Sequence, residues 1–189
     1  MKTFILFFLT SVVCLSQHTE KFKELTDVIK KDSIRKDTTY YGNGKIHYLN
    51  ETSFYSEKDF DLKGFTGQSK LFYRSGVLAR EDIRDNFGLW LTSKYYNRKG
   101  ILTKEWITTE LDTSAKNLDD FFSSSNHIDV RRTIKHYKFS KKNNAFYAYK
   151  IEYLTVISNI DGGKIDFLNE DGKIIRTKKL KEKPHKNMW

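Results

Sequence analysis

The chain has 189 residues, with 34 Lys and Arg against 24 Asp and Glu, a formal net charge of +10. Hydrophobic residues make up only 38%, skewed to rings by 14 Phe, 11 Tyr and 3 Trp, and Cys14 is the single cysteine. These figures fit one domain of the usual ~100–200 residues. They exclude a disulfide framework and a cysteine metal site, and they suit a thin sheet with one packed face and one wet face rather than a thick sandwich.

Residues 1–16 read as an export signal. Lys2 supplies the positive start, Thr3 to Leu15 the apolar run, and Cys14-Leu15-Ser16 a small-x-small exit, which places cleavage between Ser16 and Gln17. The uncharged run is short of the ~20 residues that span a bilayer, so no transmembrane span is expected after processing. A lipid anchor on Cys14 is the alternative, and Val13, where a small residue is preferred, weakens it. Removing Lys2 and Cys14 leaves 33 basic and 24 acidic residues. The expected location is the periplasm, the outer envelope or the exterior of a bacterial cell.

Residues 17–36 form a polar leader in which Phe22, Leu25 and Ile29 fall at helical spacing, so the reading is a short amphipathic helix or a charged mobile leader. A β-repeat domain is expected over 37–183. It opens with a hairpin over Asp37 to Glu51 that turns at Gly42-Asn43-Gly44. Thr52 to Leu62 reads as a connection with one weak strand. From there Gly64, Gly76, Gly88 and Gly100 recur every 12 residues between short ring-rich and branched stretches, the pattern of antiparallel hairpins. Alternation sets Arg80, Asp82 and Arg84 on one face of their strand, and Leu89, Leu91 and Tyr95 opposite Trp90, Thr92 and Tyr96 on the next.

Asp112 to Asn126 breaks the rhythm and reads as an insert, with Thr113 or Ser114 capping a short helix that carries Leu118, Phe121 and Phe122. Ile128 to Ser158 reads as a longer hairpin turning at Lys141 to Asn144, with Tyr147, Tyr149, Ile151 and Tyr153 on one face. Asp161-Gly162-Gly163 is the expected next turn, and Asn169 to Gly172 the last. The basic tail from Lys178 is expected to lose order beyond Lys183, leaving 184–189 as a free end.

Four segments share one form, a bulky pair, a polar turn, Gly, one residue and a branched aliphatic. They run Tyr40-Tyr41 to Gly44-Lys45-Ile46, Phe72-Tyr73 to Gly76-Val77-Leu78, Tyr95-Tyr96 to Gly100-Ile101-Leu102, and Phe167-Leu168 to Gly172-Lys173-Ile174. This unit resembles the variant MORN repeat of bacterial antitoxin-like repeat proteins, over about half of the mature chain. The resemblance implies a mainly β fold, a meander of repeated hairpins in an extended, curved sheet with a short N-terminal helix and a small helical insert. It brings no catalytic residues. It also points to an antitoxin or immunity-type neutralising role, which an export signal argues against.

No catalytic or metal constellation emerges. His18, His47, His127, His136 and His185 have no ligand spacing, and Asp161 to Gly172 has Phe167 where a calcium loop needs an acid. No nucleophile elbow or phosphate loop occurs. Glu81 with Asp82, and Glu105 with Glu110, diverge along a strand. No cofactor is expected, and the chain reads as a non-enzyme.

Two surfaces are left as candidates. Trp90, Tyr96, Trp106, Tyr147 and Tyr149 would form an aromatic surface for a protein partner, the competing account being cross-strand ladders that hold hairpins together. Arg131, Arg132, Lys135 and Lys138 would form a basic patch for nucleic acid or an anionic polysaccharide, the competing account being solubility and protection of sheet edges.

Overall fold

The glycine punctuation is realised as one turn used five times. In each, the residue three before the glycine accepts from the glycine N–H and donates its own N–H to the carbonyl just after it. The pairs are Tyr41 with Gly44 and Lys45, Tyr73 with Gly76 and Val77, Asp85 with Gly88 and Leu89, Asn97 with Gly100 and Ile101, and Asn169 with Gly172 and Lys173. The glycines have φ between +76° and +91°, a region that side-chain-bearing residues enter only at a cost. The result is a three-residue loop with a bulge, matched to strand twist.

The computed structural model describes residues 17–29, 33–57, 60–123 and 127–185. The expected export signal 1–16, Ser124 to Asn126 of the insert and the end of the tail from Lys186 lie outside them. After helix α1 (Glu20–Thr26) come β1 (Ser33–Tyr40), β2 (Ile46–Glu57), β3 (Phe60–Phe72), β4 (Leu78–Arg84), β5 (Trp90–Tyr96) and β6 (Leu102–Thr113). Helix α2 (Leu118–Ser123) then precedes β7 (Ile128–Ser140), β8 (Ala145–Ile157), β9 (Ile160–Leu168), β10 (Ile174–Lys179) and β11 (Lys183–Pro184). All strands belong to one antiparallel sheet in which β1 to β10 lie in sequence order and β11 pairs with β9. The expected meander is therefore the observed fold.

Turns on one end of the sheet are tied sideways. The Tyr41 hydroxyl donates to the Phe72 carbonyl at 2.6 Å, and the Tyr73 hydroxyl to the Tyr96 carbonyl at 2.7 Å. The second residue of the bulky pair thus reaches the pair of the next unit, at its first residue in Phe72 and at its second in Tyr96. Lys45 Nζ and Asn43 Nδ2 add donations to the Ser75 and Arg74 carbonyls.

The apolar core sits at the opposite end, on the face we call the front. Phe22, Leu91, Leu111, Ala115, Phe121, Ile128 and Val130 are buried together there. Thr19 caps α1 by accepting from the Phe22 N–H. The segment before it is pinned to β6 by the Leu111 N–H donating to the Gln17 carbonyl at 2.6 Å and the Thr19 N–H to the Leu111 carbonyl at 2.9 Å. Phe22, Phe87 and Phe121 then meet edge to face, with centroids 5.6–6.2 Å apart.

Several expectations need correction. Thr52 to Leu62 is not a weak connection: it belongs to β2 and β3, which pair throughout. Gly64 is no turn, since it pairs with Ser53 within that hairpin. The insert helix is capped by Asn117, which accepts from the Asp120 N–H, while Thr113 ends β6. Asp161-Gly162-Gly163 lies inside β9. The turn before it is Ser158-Asn159, both at positive φ of 49° and 63°, the two-residue geometry that suits hairpin twist. Gly163 serves close approach instead, because a Cβ there would sit 2.0 Å from the Tyr153 carbonyl oxygen. The tail does not fray at Lys183 but returns to the sheet, with His185 N–H donating to the Asn159 carbonyl at 2.8 Å.

Candidate functional site

Strand register decides which side chains share a face. From Asp82, pairing runs to Ser93, Trp106, Ile134 and Glu152, and this row points to the front. A bulge between β4 and β5 pairs Arg84 with Trp90 and Ile83 with Thr92, leaving Leu91 as the extra residue. Simple alternation had put Trp90 opposite Tyr95; the bulge turns both to the front. A second bulge, between His136 and Tyr137 of β7, leaves Tyr149 of β8 as the extra residue. Tyr147 and Tyr149 accordingly part company with Ile151 and Tyr153 and join the front.

The structure therefore brings Trp90, Trp106, Tyr147 and Tyr149 to one face and places Tyr96 on the other. Tyr96 stands near Glu81 and Glu105, and burial followed by those carboxylates pushes its phenol up. The basic set is split as well. Arg132 and Lys138 are on the front, whereas Arg131 and Lys135 are on the back, with Arg131 Nε 3.1 Å from Glu110 Oε1. Residues adjacent along a strand point to opposite sides, so these four do not form one patch.

Across the front, cations and rings interleave. Arg84 lies over Phe65 at 5.5 Å and Trp90 at 5.2 Å. Trp90 meets Trp106 edge to face at 6.1 Å. Lys104 lies over Trp106 at 5.0 Å and over Tyr95 at 5.3 Å, Arg132 over Trp106 at 5.9 Å and Arg80 over Tyr95 at 5.9 Å. Each contact is worth about 0.5–1 kcal/mol where exposed and ~2 when desolvated. Nearer the C-terminal strands, Lys138 lies over Tyr147 and Tyr149.

Asp82 is the anchor of this array. Its carboxylate is 1% exposed and takes the Arg80 guanidinium at 2.8 Å and that of Arg84 at 3.6 Å. Ser93 and Ser69 donate to it from the two flanking strands. A buried carboxylate needs such partners, and here they orient two arginines under the rings. Arg132 donates from Nε to Thr108 Oγ1 at 3.4 Å, and burial lowers its pKa. The indole N–H groups of Trp90 and Trp106 are shut off from solvent and donate to nothing among the described residues.

Sequence reasoning missed Phe65, Arg84, Tyr95 and Lys104 as members. Its signal was present in the alternation of Arg80, Asp82 and Arg84, one strand away from the bulge that hides Trp90. His136 donates or accepts at 2.7 Å with Glu152, and burial lowers its pKa against the pull of that carboxylate. His47 stacks with Tyr41 on β2, so it does not join His136 on β7. Among the described residues no three His, Cys, Asp or Glu side chains could hold a metal ion, and no helix is long and apolar enough to cross a membrane.

No family model matches the chain, and no curated protein does. A solved structure, that of a DUF3836 family protein from Parabacteroides distasonis, is similar at 13% identity and a TM-score of 0.21, over 68% of this chain and 93% of that one.

Proposed function

We propose that the chain is an exported, non-catalytic β-repeat protein of the bacterial envelope that binds a protein partner through the front of its sheet. The observation that carries this reading is the half-buried Phe65–Arg84–Trp90–Trp106–Arg132 array, which the helices leave uncovered. Tryptophan, tyrosine and arginine are the residues in which interface energy concentrates. Held by Asp82 and the strand register, their side chains are ordered before a partner arrives, which lowers the entropic cost of binding. A partner offering carboxylates and apolar side chains would match them.

Export is supported by the sequence of residues 1–16, with its positive start, apolar run and small-x-small exit. The anionic-polymer alternative is weakened by the division of the basic residues over two faces. The likeness to variant MORN repeats rests on the glycine turn and the tyrosine pair.

The test is capture from an envelope fraction on immobilised mature protein. The wild type should retain a defined partner, and Trp90→Ala with Trp106→Ala should lose it while keeping the wild-type far-UV circular dichroism. Undiminished capture by that folded double variant would remove the front face from the function.

A further inference from the structure

A second feature of the front lies beside the apolar core. Leu180 donates its N–H to the Gly163 carbonyl at 2.9 Å, and β11 then pairs Lys183 with Asp161 and Pro184 with Ile160. The chain from Leu180 to His185 is thereby laid along β9 as a strap. Beneath it is a cavity of about 440 Å³, within the ~300–1,000 Å³ of ordinary ligand pockets. Its floor is apolar, made by Val130, Leu154 and Val156, and Leu180 forms part of the wall.

The rim is cationic. Arg132, Lys181 and Lys183 line it together with His185 and a single carboxylate, Asp161. That carboxylate is already engaged, at 2.6 Å by His185 Nδ1 and at 3.9 Å by Lys183 Nζ. Lys181 is therefore not neutralised by Asp161. An apolar floor beneath a rim of excess positive charge selects a molecule with an apolar body and an anionic head.

We propose that this cavity binds a single-chain amphiphile carrying one carboxylate, its chain laid on Val130, Leu154 and Val156 and its head held by Lys181 and Lys183. The site touches the ring array only through Arg132, which lines both, and the test leaves that residue unchanged. Lys181 and Lys183 are exposed strap residues, so changing them leaves the core untouched.

The experiment is isothermal titration of the mature protein with decanoate below its micelle concentration, against decyltrimethylammonium as the charge-reversed control. Saturable one-to-one binding of decanoate and none of the cation is expected. Lys181→Glu with Lys183→Glu should weaken decanoate by about tenfold or more, the scale of losing charge-assisted contacts. Lys181→Arg with Lys183→Arg should restore it. Absence of decanoate binding, equal binding of the cation, or unchanged affinity in the Glu variant would each overturn the proposal. Envelope capture by the Glu variant is the separating readout: retained capture with lost decanoate binding is the expected result, because both lysines lie outside the ring array.

Discussion

The two ends of the sheet are held by different physics. At the helix end, Phe22, Leu111 and Phe121 are nearly sealed from water, and α1 and α2 complete a small conventional core. Away from the helices no second layer is present among the described residues, and strands are held by register, by turns, and by cations laid across rings. Apolar burial scales with area removed from water at about 25 cal/mol per Å². The single layer has little of that to draw on, so hydrogen bonds and cation–ring contacts carry a larger share there. A chain of low aliphatic content can still make a long sheet, provided its few aliphatics are concentrated where helices can cover them.

The strongest way to break this division is to empty the core. Phe22→Ala should cost about 3–5 kcal/mol, measured by urea unfolding. If the helix end is the keystone, circular dichroism and the fluorescence of Trp90 and Trp106 should fall in one transition at a lower midpoint. Next comes the buried anchor of the open end. Asp82→Ala leaves Arg80 and Arg84 without their carboxylate and should cost about 3 kcal/mol, with tryptophan fluorescence changing before helix signal is lost. A loss below 1 kcal/mol would show that the array is ornamental to stability.

Backbone strain separates the turns from both. Gly172→Ala meets no atom within 4 Å, yet holds φ at +76°, so any loss reports conformation alone, about 1–2 kcal/mol. Tyr73→Phe removes one sideways tie and should cost about 1 kcal/mol, read as a shift in melting temperature. The smallest effect is a pH limb. Burial, then the Glu105 carboxylate 3.1 Å from its hydroxyl, pushes the Tyr137 phenol up to about 12. The folded state keeps that proton where the unfolded chain loses it near pH 10, so stability is full below pH 10 and falls as pH rises towards 12. Tyr137→Phe should flatten that alkaline limb relative to wild type.

The glycine spacing made most of this architecture legible in advance, because a positive-φ turn leaves a residue type behind. Bulges leave none. Alternation groups Trp90 with Tyr96 and Tyr149 with Ile151, and the bulges separate both pairs because one extra residue reverses alternation without changing composition. The turn at Ser158-Asn159 was overlooked for the same reason in reverse: Gly162-Gly163 looked like a turn but was needed for the close approach to Tyr153. The strap escaped notice because a short, lysine-rich segment pairs only when a waiting edge of β9 is available, and no local pattern records that edge. The aromatic candidates were found as residues, while their arginine and lysine partners depended on register and so on the folded sheet.

The sideways ties from Tyr41 to Phe72 and from Tyr73 to Tyr96 have a consequence for how such a protein changes over time. Each joins a hairpin to its successor through a side chain on one and a main-chain carbonyl on the other, so the docking asks little of the successor's identity. Duplication or loss of a whole hairpin would preserve the joint on either side.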